Sequence, residues 1–80
     1  MKLLIKNNCQ KCDWLKSKVD INKIEVINAE SKEGMALLAY YERLEVNQFP
    51  LLFLEDEDET TITKTVKIKK IIEEYNAQIR

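Results

Sequence analysis

The chain has 80 residues, 13 of them Lys or Arg and 14 Asp or Glu, for a net charge of −1. Charge so evenly balanced argues against a dedicated nucleic-acid binder or a membrane-surface peptide, and the apolar runs fall far short of the roughly 20 residues that cross a bilayer. One domain spanning 1–80 is expected, burying only roughly 60–65% of the surface that its unfolded chain exposes, so its stability margin is thin.

Residues 2–7 predict a short buried strand, because Leu3, Leu4 and Ile5 form a continuous apolar run. The polar Asn7 and Asn8 follow too soon for a signal-peptide core, so a cytoplasmic protein is expected. A helix begins near Cys9 and carries Cys12, Leu15 and Val19 on one face. Trp14 falls off that stripe, either shielding one side of a site or packing under a loop. The stretch "KIEVIN", 23–28, is short and rich in β-branched residues and reads as a second strand. Ser31 is placed to cap a helix over 32–44, with Glu33 in its first turn, where the helix dipole favours an anion. Met35, Leu37, Leu38, Tyr41 and Leu44 recur there at helical spacing, and Gly34 weakens the first turn.

Pro50 cannot donate a ladder hydrogen bond, so it marks the start of a strand supplied by Leu51 to Leu54. The acidic run Asp56–Glu59 suits a solvated turn, and "TTITKT" alternates as a hairpin partner. Thr65 is placed to cap a last helix in which Ile68, Ile71, Ile72, Tyr75 and Ile79 form the clearest amphipathic stripe of the chain. Lys64, Lys67, Lys69 and Lys70 fall to its wet side. The order β-α-β-α-β-β-α predicts an α/β fold with a four-stranded mixed sheet flanked by helices. The first strand–helix–strand unit requires a parallel pair, and the last two strands form an antiparallel hairpin.

Cys9 and Cys12 are the only cysteines, and there is no histidine. Their spacing alone serves a redox pair, a metal clip or two inert buried side chains. Their place at a strand–helix junction favours redox chemistry, because the first turn of a helix offers unpaired N–H groups and the positive end of the dipole to a thiolate. Cys9 is expected as the exposed nucleophile, more acidic than a free cysteine, and Cys12, one turn further in, as the resolving thiol. Lys6 and Lys11 add positive charge, and Asp13 opposes it. Two thiolates fill half of a structural zinc site, so the metal alternative is a dimer bridged by zinc or an iron–sulfur cluster. A non-catalytic binding module is the other alternative.

Over essentially its whole length the chain resembles the glutaredoxin-like branch of the thioredoxin superfamily. The resemblance rests on a strand followed by C-x-x-C, on Lys6 three residues before Cys9, and on "VNQFP" after the second helix. It implies a thioredoxin-like, glutaredoxin-type fold in which a cis-proline loop at Pro50 lies beside the cysteine pair. It also implies that the Phe49 backbone faces Cys9 and pairs with an extended substrate, and that Lys6 helps to hold a glutathione carboxylate. The chain departs from the family at Gln10 and Lys11, where a proline and an aromatic are usual. It departs again at "TITKTVKIKK", which lacks the Gly-Gly turn and the acidic residue that grip glutathione. There Thr65 and Lys67 have hydrogen bonds or charge to offer a ligand. The expected protein is a monomeric thiol–disulfide oxidoreductase with no bound cofactor and a substrate site made by Lys6, Gln10, Lys11, Phe49, Pro50 and Thr65. Its partners are a disulfide-bearing protein, or glutathione as co-substrate, and a reductase that recycles the dithiol. A redoxin reduced by another protein, like those that serve ribonucleotide reductase, fits equally well.

Overall fold

Two pairs of adjacent leucines, Leu3–Leu4 and Leu51–Leu52 opposite them in the sheet, show how it is buried on both faces. The structure, a computed structural model, describes residues 1–41, 49–58 and 60–78. In chain order the elements are β1 (Lys2–Ile5), α1 (Gln10–Lys18), β2 (Glu25–Asn28), α2 (Lys32–Tyr40), β3 (Leu51–Phe53), β4 (Thr61–Ile62) and α3 (Thr65–Gln78). The four strands form one mixed sheet in the order β2-β1-β3-β4. β1 runs parallel to β2 and antiparallel to β3, and β3 runs antiparallel to β4.

Side chains alternate across a strand, and here both faces are apolar. Leu3 and Leu52 join Leu15, Val19, Ile68 and Ile72 in a core beneath α1 and α3. Leu4, Leu51 and Phe53 point the other way and join Ile27 and Leu38 beneath α2. Each fully buried leucine or isoleucine contributes about 1.5–3 kcal/mol, so the layering α1/α3–sheet–α2 follows from the need to cover both faces. The stripe Cys12–Leu15–Val19 is buried as its spacing predicts, and so are Ile68 and Ile72. Ile71 and Tyr75 are half-buried. Ile79 and Leu44 lie outside the described residues.

Several expected elements are shorter. β1 ends at Ile5 because Asn7 and Asn8 turn the chain. β2 begins at Glu25, since Lys23 lies in a turn closed by the Ile24 N–H on the Ile21 carbonyl (3.3 Å). Its partner β1 also begins at the opposite residue, Lys2. β3 stops at Phe53, one residue before Leu54. β4 keeps only Thr61 and Ile62 of "TTITKT", opposite Phe53 and Leu52. Thr65 is not a cap. It is the first helical residue of α3, and the carbonyl one step earlier, on Lys64, accepts the first helical bond from Ile68 (3.0 Å). α2 ends at Tyr40 with Tyr41 as its C-cap, and 42–44 lie outside the described residues. On α2, Met35 is 58% exposed, not buried as its spacing suggests.

Ser31 caps α2: its Oγ accepts the Gly34 N–H (3.0 Å) and donates to the Asn28 carbonyl (2.7 Å). That brace holds the start of α2 hard against the end of β2. A Cβ on Gly34 would stand 2.1 Å from the Asn28 carbonyl oxygen and 2.8 Å from Ala29 Cα. Glycine is therefore required by close approach, which outweighs its poor helix propensity of roughly 1 kcal/mol. Gly34→Ala is expected to lower stability by about 1–3 kcal/mol, read as a reduced urea midpoint, where propensity alone predicts a gain.

The acidic run lies in the β3–β4 connection as a solvated turn, with Glu59 outside the described residues. Asp56 accepts from the backbone N–H and the hydroxyl of Thr60 (both 3.0 Å). The Thr60 N–H bond, foremost, holds its carboxyl below the ordinary 3.8. The folded value is depressed, so the stability that Asp56 adds is present above pH 3.8 and lost as pH falls through the folded value. Below pH 3.8 the wild type should lose stability with acid more steeply than Asp56→Asn, which keeps an acceptor but does not titrate.

Candidate functional site

The site begins in the turn that follows β1. Asn8 has φ 57°, in the left-handed region that asparagine tolerates better than other side-chain-bearing residues. This conformation reverses the chain at once from the end of the strand into α1. Asn7 Oδ1 accepts from the Asn28 side-chain amide (3.2 Å), and the Ala29 N–H donates to the Ile5 carbonyl (2.7 Å). The turn is thus tied to the end of β2.

Cys9 is the N-cap of α1, with extended φ −112° and ψ 108°. Its carbonyl accepts from the Asp13 N–H (3.0 Å), and its Sγ accepts from the Cys12 N–H (3.2 Å). Sulfur here occupies the position that a serine or aspartate oxygen usually takes at a helix start. Cys12 sits in the first turn, 1% exposed on the Leu15–Val19 face, whereas Cys9 is half-buried. The two Cα atoms are 5.2 Å apart and the sulfurs are joined as a disulfide.

The loop before β3 closes the site from the other side. The Phe49–Pro50 peptide bond is cis, and the Phe49 carbonyl oxygen lies 3.6 Å from Cys9 Sγ. A disulfide sulfur carries no proton, so this is packing in the oxidised state, and the same oxygen becomes an acceptor for a Cys9 thiol. Lys6 Nζ stands 5.9 Å from the centre of the Phe49 ring, within cation–π range.

Lys6, Gln10, Lys11 and Phe49 border one depression of about 610 Å³ around Cys9, where Glu30 brings a negative charge. Thr65 lies apart from it. It borders a second cleft of about 700 Å³, in which Gln10 and Lys11 also take part but Cys9 does not. The larger cleft is therefore not the one that Cys9 borders. Pro50 is buried and borders neither, and neither does exposed Lys67. Trp14, 38% exposed, turns out to line the second cleft together with Val66, at 72% exposure. Val66 escaped notice in the sequence, although it is an apolar side chain off the stripe of its helix. Among the described residues no three His, Cys, Asp or Glu side chains converge as a metal-holding group, and no helix is long and apolar enough to cross a membrane.

No family model, curated protein or solved structure matches the chain.

The difference in exposure between the two sulfurs gives a direct test. In reduced protein treated with limiting iodoacetamide, the first alkylated product should carry the label on Cys9, read by peptide mass. Equal labelling of Cys12 would contradict the burial that sets the two thiols apart.

Proposed function

We propose that the protein is a thiol–disulfide oxidoreductase with a thioredoxin-like fold of the glutaredoxin type. The observation that carries this reading is a partly exposed sulfur at a helix N-cap, fed by the Cys12 N–H and bonded to a buried partner one turn further in. The strand order β2-β1-β3-β4 and the cis-proline loop against Cys9 support the fold assignment.

In the reduced protein the Cys9 thiolate attacks one sulfur of a substrate disulfide. A Cys9–substrate disulfide forms, and the other half leaves as a thiolate and takes up a proton. The deprotonated Cys12 sulfur then attacks Cys9 Sγ and displaces the remaining half as a second thiol. Two electrons and two protons have passed to the substrate, and the Cys9–Cys12 bond is restored. The N–H groups of the first turn favour the attacking thiolate, and Lys6 and Lys11 add to the positive field. Phe49, through its carbonyl, and Gln10 border the path of the substrate, with Pro50 fixing the approach of the loop and Thr65 at the far rim. No bound cofactor is needed, since the electrons pass through sulfur alone. The substrates are protein or glutathione mixed disulfides. A reductase, or glutathione as co-substrate, returns the pair to the dithiol, which a reducing cytoplasm then maintains.

Cys9→Ser should abolish disulfide reduction. Cys12→Ser should still react but stall as a mixed disulfide, visible as the mass of one substrate half added at Cys9. A reversible two-electron transition between about −270 and −180 mV is expected on titration against thiol buffers. Reductase activity that survives Cys9→Ser would overturn the proposal.

A further inference from the structure

Trp14 and Val66 are exposed side chains on two different helices, yet they meet at one cleft. It lies between the first turns of α1 and α3, and Gln10, Lys11, Lys64 and Thr65 complete it. The charged side chains at its rim are both cations. Among the described residues neither Lys11 nor Lys64 has a carboxylate within ion-pair range. Gln10 and Lys11 border the Cys9 depression as well, so the two hollows meet along the first turn of α1. An exposed apolar surface beside a reactive sulfur marks a place where a partner is bound, and unpaired lysines at its rim select for negative charge.

Resting on the oxidoreductase reading above, we infer that this cleft selects the substrate, which is a polypeptide disulfide flanked by a bulky apolar residue and an acidic one. The apolar side chain seats between Trp14 and Val66 while the carboxylate meets Lys11 and Lys64, and the partner's sulfur reaches Cys9 in the adjoining hollow. Glutathione offers carboxylates but no side chain that fills the apolar part. The electron balance is that of the exchange already described, with the Cys9–Cys12 dithiol as reductant.

Single-turnover reduction by the pre-reduced protein tests this without any recycling enzyme. Three probes are compared by acid quench and mass: a synthetic peptide disulfide with Glu and Leu beside the cysteine, the same peptide with Lys in place of Glu, and glutathione disulfide. The Glu–Leu peptide should react roughly threefold to tenfold faster than the Lys–Leu peptide, the scale of a pair of exposed charge contacts, and its lead should shrink as salt is raised. It should also outpace glutathione disulfide. Lys64→Glu should shrink or invert the Glu-to-Lys ratio, and Val66→Ser should narrow the lead over glutathione disulfide. Equal rates on all three probes, or ratios that neither variant moves, overturn the inference while leaving the oxidoreductase reading intact. Failure to reduce any of the three overturns the oxidoreductase reading, and the inference with it.

Discussion

β1 is hydrogen-bonded on both sides, and its antiparallel pairing with β3 is what makes a site out of distant residues. The register sets Leu4 opposite Leu51 and Leu3 opposite Leu52. In an antiparallel pair the end of one strand lies beside the start of the other. The residues that follow β1 and those that precede β3 therefore emerge at the same edge of the sheet. One side delivers Cys9 and the other delivers Phe49 and Pro50, 40 residues later in the chain. The parallel pairing with β2 brings Asn28 to the same end, where it holds Asn7 and the start of α2.

On that frame the local chemistry is short-range. A helix start leaves N–H groups without partners, and Cys9 Sγ answers one of them. The contact that caps α1 is thus made by the same sulfur that borders the open depression. Cys12 differs from Cys9 in burial, not in chemistry: one turn of helix turns it into the Leu15–Val19 face. In the proposed exchange, this asymmetry is what would separate an attacking sulfur from a resolving one.

Among the described residues three helices cover both faces of the sheet, so little apolar surface is left for other purposes. The side chains that stay outside are consequently informative. Trp14 and Val66 line one cleft between α1 and α3, bordered by Lys11 and Lys64, which have no carboxylate in ion-pair range among the described residues. Gly34 shows the opposite economy, where contact is so close that no side chain fits at all.

The sequence by itself determined the local elements and the place of the cysteine pair. The stripe of α3, the Ser31 cap, the continuous apolar run of β3 and the position of the cysteine pair at a strand–helix junction are all set by contacts a few residues apart. Strand ends were less legible, because a strand extends only as far as it pairs with its neighbour, which no stretch of its own residues records. The need for glycine at 34 was hidden for the same reason, since its neighbour is the end of another element. Only the tertiary structure decided that β3 lies beside β1, that Thr65 faces a cleft shared with Gln10 and Lys11, and that Trp14 and Val66 line that cleft together. Local pattern is fixed by the periods of helix and strand. Adjacency across 40 or 50 residues is fixed by which pairing buries both faces of one sheet, and that is a property of the whole chain.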